Sequence, residues 1–158
     1  MKLALNGALT MGTLDGANIE IRDRVGADNI FIFGLTAAEI EQRREARFTG
    51  QEAANQSLRL ADAISCIRSG AFSPDDPKRF APIVEDLLGY DHFMVAADFS
   101  AYWTAQRQAD ALYGRPGWWR SAILNTAHMG WFSSDRAIRE YAEKVWDVNI
   151  DLPAWREP

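Results

Sequence analysis

Two short apolar runs about a helix-length apart, ALTMGT at 8–13 and NIFIFG at 29–34, restrict the folds open to this chain more than anything else in it. Each is long enough for a strand, too short for a helix, and bounded by turn formers. Between them Asp15-Gly16 punctuates the chain: Asp15 is placed to cap a helix from about Gly16 to Val25, its carboxylate accepting from first-turn amides, and Gly26 closes that helix. Strands joined through a helix pair in parallel, so this stretch reads as a βαβ crossover. NIFIFG alternates little and suits a central strand buried on both faces. Two parallel strands alone leave their outer edges unpaired, so more strands are expected from elsewhere. Upstream, MKLALN reads as the last turns of a helix stopped at Asn6-Gly7.

Beyond Gly34 the pattern turns helical. Thr36 with Glu39 forms a capping box leading into AEIEQRREARF. A second helix is expected from about Gln51 to Ser69, with Leu58, Ala61, Ile64 and Ile67 near one face and Gly70 at its end. Asp75-Asp76-Pro77 is expected to open a helix to Leu88, and HFMVAADF to be extended or irregular. Helices over Ser100–Tyr113 and Trp118–Met129 follow. Ser133 or Ser134 caps the last one, in which Ile138, Tyr141, Val145 and Trp146 form an apolar stripe. The fold class is therefore α/β and mostly helical, with about two short parallel strands followed by a run of helices. Residues 1–148 form one unit, and 149–158 read as a loose tail.

Charge and composition exclude several functions. A net charge of −5, with no basic cluster, argues against nucleic acid as a partner. No apolar run reaches the roughly 18 residues of a membrane span, so no membrane partner is expected and the protein reads as soluble and cytoplasmic. The single cysteine, Cys66, reads as a small buried position and fits a reducing compartment. All six tryptophans follow position 100, which calls for a large surface to bury them.

The opening MKLALNGALTMGTLDGANIEI followed by IFIFG, and then SGAFSP, HFMVAADF, AYW and FSSDRAIREYAEKVW, resembles the α-glucan phosphorylases of glycogen, starch and maltodextrin. The resemblance covers nearly the whole chain to about Val148. It implies the C-terminal end of the family's Rossmann-like domain, one half of the two-domain glycosyltransferase B architecture, with the missing strands supplied by the part of that domain preceding Lys2. It places Lys2 on the lysine that anchors pyridoxal 5'-phosphate. In the family this cofactor's phosphate is thought to exchange a proton with inorganic phosphate while that phosphate cleaves an α-1,4 glucosidic bond and yields glucose 1-phosphate. The implied partners are thus an α-glucan and inorganic phosphate, and the implied activity is a pyridoxal-phosphate-dependent glycosyl transfer.

Lys2 is one of three lysines against 14 arginines, and without a family it reads as an ordinary solvated charge. An anchoring amine must be unprotonated, which an apolar lining favours; Leu3, Leu5, Leu9 and Met11 are the candidates for one. By the resemblance Lys2 is an anchor and no catalytic acid or base. The turn, glucose-binding and phosphate-positioning residues of such a site do not lie in this chain, so no catalytic residue is named and the chain alone is expected to be inactive. The loop Gly12–Asn18 looks like a phosphate cradle, but its spacing fits a capped strand-to-helix turn better. His92 and His128 lack partners at metal-ligand spacing, so no metal is expected. Ser133-Ser134-Asp135 has no nucleophile elbow and reads as a cap, and Asp75-Asp76 as a helix start. Trp118, Trp119 and Trp131 read as core or interface more readily than as a sugar platform. The alternative function is a non-catalytic helical module that docks a partner or self-associates through its exposed sheet edges and aromatic faces.

Overall fold

The computed structural model describes residues 1–149, and only a small part of them is sheet. Strand β1 (Met11–Gly12) pairs with β2 (Phe31–Ile32) in parallel, with Met11 opposite Phe31 and Gly12 opposite Ile32. The Phe31 amide donates to the Thr10 carbonyl at 2.9 Å and the Phe33 amide to the Gly12 carbonyl at 3.1 Å. Among the described residues each strand has one neighbour, so both are edges. Their side chains are half-buried, and the central strand read from NIFIFG is corrected on that point: an apolar run does not reveal how many neighbours its backbone will find.

Helix α1 (Lys2–Leu5) precedes β1, and α2 (Gly16–Val25) crosses from β1 to a 3₁₀ turn before β2. Asp15 holds the N-cap position of α2, but its carboxylate makes no capping bond. It accepts instead from the Thr13 hydroxyl at 2.9 Å. A helix from much later in the chain, α8 (Pro116–His128), completes this layer. Ala4, Ile21, Val25, Ile30 and Met129 form its buried core, with Ile32 and Phe132 packed against them. Polar bonds fix α8 in place: Asn125 Nδ2 donates to the Asn29 carbonyl (2.8 Å), Ser121 Oγ to Asn29 Oδ1 (2.7 Å), and Thr126 Oγ1 to the Ala4 carbonyl (3.1 Å).

The second core is all helical. Helix α3 (Ala37–Glu45) starts with the expected Thr36–Glu39 capping box. The long helix expected from Gln51 is two helices, α4 (Gly50–Gln56) and α5 (Leu58–Arg68). Ser57 sits between them in extended backbone, and its hydroxyl accepts from the Leu60 amide, giving α5 a cap of its own. A second capping box, Thr49 with Glu52, opens α4. The break turns Leu60 and Ile64 inward and leaves Leu58 at 84% exposure, so the expected face at Leu58 is corrected.

Helix α6 spans Ala81–Gly89 and α7 Val95–Leu112. The acidic pair does not start α6; Asp75 accepts from Ser73 Oγ and pairs with Arg79 at 2.6 Å, and Pro82 lies in the helix's first turn. VAADF is helical rather than irregular, because the buried Asp91 carboxylate accepts from the amides of Val95 (2.8 Å), Ala96 (3.0 Å) and Ala97 (3.3 Å). Three of the amides an N-terminus leaves unpaired are thereby satisfied.

Ala53, Ala54, Leu60, Ile64, Val84 and Ala96 form this core, with Phe48, Leu87 and Phe99 against it. Small side chains let α4 lie close to its neighbours: a Cβ on Gly50 would stand 1.8 Å from the Leu87 carbonyl oxygen. Helix α9 (Ser134–Tyr141), capped by Ser133, runs into a π turn at Ala142–Trp146. Its stripe is solvated, with Ile138, Tyr141, Val145 and Trp146 at 50–66% exposure. Cys66 is exposed, which overturns its reading as buried. Among the described residues no helix is long and apolar enough to cross a membrane. The tail expected from Asn149 lies, apart from that residue, outside the described residues, as does Trp155.

Candidate functional site

Lys2 stands at the start of a single helical turn. Its own carbonyl accepts from Asn6 Nδ2 at 2.8 Å, and Ala4, two residues on, is buried against α8, so the backbone under the lysine is fixed at both ends of the turn. The side chain itself is exposed and makes no ion pair among the described residues. The expected apolar lining is not assembled: Leu3 and Leu5 are 76% and 52% exposed, and only Leu9 and Met11 are half-buried. A four-residue helix has one buried face, and Ala4 takes it, leaving its neighbours to water. The Lys2 amine is accessible and is not buried by this chain's own residues.

The Gly12–Asn18 loop binds itself. The Asp15 amide donates to the Thr13 carbonyl, the Asn18 amide to the Asp15 carbonyl, and Asn18 Nδ2 to the Thr13 carbonyl at 2.9 Å. A Cβ on Gly12 would fall 2.5 Å from that same Nδ2, so the side chain of Asn18 packs directly against the Gly12 backbone and closes the turn. With the Asp15 carboxylate also at the helix start, the loop is a closed strand-to-helix turn and does not fit an anion.

His92 stacks on Tyr90 (5.6 Å) and meets Phe93 edge-on (4.7 Å), while His128 ends α8, and the two are not brought together at a ligand site. Among the described residues no group of three or more His, Cys, Asp or Glu side chains is placed to hold a metal. Of the core or interface positions expected for the tryptophans, the described ones do not take the core. Trp131 lies half-buried between the Arg24 and Arg136 guanidiniums, at 3.3 and 3.9 Å from its ring centre, and Trp103 lies near Arg59 and Arg107. Trp119 is 57% exposed, and Trp118 is half-buried edge-on to Tyr113. Arginines cover Trp131 and Trp103 by cation–π contact, worth about 0.5–1 kcal/mol each at exposed sites.

The site that sequence reading missed lies beyond the C-terminal end of β2, where α/β folds place their ligands. There a cavity of 390 Å³ opens among Thr13, Phe33, Phe93, Asp98, Phe99 and Tyr102. Asp98, in the first turn of α7, is 8% exposed, and its Oδ1 accepts from the Leu35 amide at 2.8 Å. Gly34 makes the approach possible: its φ is +80°, and a Cβ there would stand 2.6–2.8 Å from the Asp98 carboxyl atoms. Burial raises the Asp98 pKa above the usual aspartate value; the Leu35 hydrogen bond opposes this, while Asp91 adds to it. The signal available in the sequence was FGL at one strand end and an aspartate inside an otherwise apolar AADF, but nothing local joins two segments 63 residues apart.

The family model for carbohydrate phosphorylases matches residues 1–148. Over 149 residues, 94% of this chain, glycogen phosphorylase of Synechocystis is 50% identical and that of Haemophilus influenzae 46%. The brain form of glycogen phosphorylase of Ovis aries is 44% identical over 159 residues and the whole of this chain. The chain spans 18–19% of the length of these relatives.

Proposed function

Because the chain belongs to the carbohydrate phosphorylase family, we propose that it is the C-terminal segment of an α-glucan phosphorylase, with Lys2 as the amine that anchors pyridoxal 5'-phosphate. In this reading residues 1–148 are the end of the Rossmann-like domain, helical run included, and 149–158 a tail. The observation that carries it is a family match over 148 residues whose first turn holds an accessible lysine on a fixed backbone. When bound, the cofactor contributes a phosphate able to exchange a proton with inorganic phosphate during phosphorolysis of an α-1,4-glucan to glucose 1-phosphate. Lys2 holds that group and moves no proton in the reaction. Ala4, packed beneath α8 and bonded to Thr126, keeps the anchoring turn in place.

The closed Gly12–Asn18 loop does not fit the cofactor's phosphate, and a competent site needs several groups held together within fractions of an ångström. The glucan and inorganic phosphate are therefore partners of the whole cytoplasmic enzyme, and the 158-residue chain alone does not catalyse. Treatment with pyridoxal phosphate, borohydride reduction and mass-spectrometric mapping is expected to place the adduct on Lys2; preferential labelling of Lys78 or Lys144 contradicts the anchoring role. Release of glucose 1-phosphate from glycogen by the purified chain would overturn the inactivity.

A second reading, a non-catalytic module that docks a partner or a second copy, is favoured by the two unpaired strand edges and by the exposed Ile138–Trp146 stripe. A clean monomer by light scattering at micromolar concentration counts against self-association.

A further inference from the structure

We propose that the cavity at the end of β2 binds a small organic cation, a protonated amine carried on an apolar or aromatic body, with its ammonium on Asp98 and its body against Phe33, Phe99 and Tyr102. Asp98 is the one charged side chain among those that line the cavity. Among the described residues its carboxylate has a single hydrogen-bond donor, the Leu35 amide, so acceptor capacity remains. Its position is built in. Gly34 packs directly against the carboxyl group, and the Leu35 bond ties α7 to the strand end.

The rest of the lining selects the same charge. Phe33 and Tyr102 lie 5.3 Å apart with their planes tilted by 59°, forming two walls at an angle. Aromatic faces carry the negative side of a quadrupole, so a cation held against either ring beside Asp98 is attracted by ring and carboxylate together. A neutral apolar ligand would leave the carboxylate uncompensated, and an anion would be repelled by Asp98 and by the aromatic faces. The 390 Å³ volume lies in the range of small-molecule sites, about 300–1,000 Å³. Phe93, 78% exposed, stands at the rim and leaves the cavity open for entry.

Benzylamine and benzyl alcohol separate charge from shape, because they share the ring and differ in the cationic group. Titrating the full 158-residue chain with each at neutral pH, followed by amide chemical shifts, is expected to move Leu35, Phe99 and Tyr102 with benzylamine and to give at least tenfold weaker binding for the alcohol. Asp98→Asn keeps an oxygen for the Leu35 amide and should weaken benzylamine at least tenfold without changing the alcohol. Equal affinity for the two ligands, an unchanged affinity in Asp98→Asn, shifts centred elsewhere, or no benzylamine binding at millimolar concentration would overturn the proposal. Should the variant not fold, the two ligands on the native chain still decide.

Discussion

The strand layer and the helical group from α4 to α7 each bury a handful of small and medium apolar side chains, yet they are held by contacts of opposite range. In the strand layer the fixing bonds join Asn29 to Ser121 and Asn125, and Ala4 to Thr126, across 92 to 122 residues of chain. In the helical group they are caps within three to six residues: Thr49 with Glu52, Ser57 with Leu60, and Asp91 with Val95, Ala96 and Ala97. A locally held region declares itself in sequence and forms early by loop-closure cost; one held from a distance does neither.

The largest expected effect lies in the helical group. Gly50→Ala forces a methyl into the Leu87 carbonyl and should cost roughly 3 kcal/mol or more, as overpacking against backbone does. Gly89→Ala, on the facing helix with open space around it, should be neutral or gain up to about 1 kcal/mol. Urea denaturation of the two variants checks both, and similar losses would break the close-packing explanation. Next comes the strand layer. Asn125 is fully buried, with its Oδ1 unpaired among the described residues and its Nδ2 shared between the Asn29 and Ser121 carbonyls. Asn125→Ala should cost about 2 kcal/mol, and near-UV circular dichroism should report loosened packing.

Removing the buried cap, Asp91→Ala, is expected to cost about 1–2 kcal/mol and to fray α7 back toward Ser100, seen as faster amide exchange at Val95–Ala97. Thr36→Ala, at an exposed capping box, should cost about 1 kcal/mol in thermal unfolding. The smallest effect is pH-linked. Burial raises the folded-state pKa of Asp98, aided by Asp91 and Glu39 and opposed by the Leu35 bond and Arg43, so the folded chain binds this proton more tightly than the unfolded one. Its stabilising contribution is complete below the unfolded value of about 3.9 and is lost as pH rises through the folded value. Asp98→Asn should therefore gain stability relative to the native chain on going from pH 4 to pH 7, read as a narrowing difference in Tm.

What was legible follows the same division. The Thr36–Glu39 box, the Gly16–Val25 helix and the parallel pairing of the two apolar runs are specified by neighbours in sequence, and they stand as read. Ser57 was overlooked because a serine inside a helical pattern costs little until its hydroxyl finds an amide. Asp91 hid behind His92 and Phe93, since its cap works across a left-handed Met94 rather than at the usual spacing. Ring area alone does not say how a tryptophan is covered: guanidinium groups cover Trp131 and Trp103 at the surface. The Asp98 cavity, made by a strand end and a helix far along the chain, left no local mark at all.

That the strand pair is held less firmly than the helical group from α4 to α7 is tested most directly by native-state hydrogen exchange of the full chain. The ladder amides of Phe31 and Phe33 should exchange at least about tenfold faster than those of Ile64 and Ala105, which lie in buried turns of α5 and α7. Equal protection of Phe31, Phe33, Ile64 and Ala105 would contradict it.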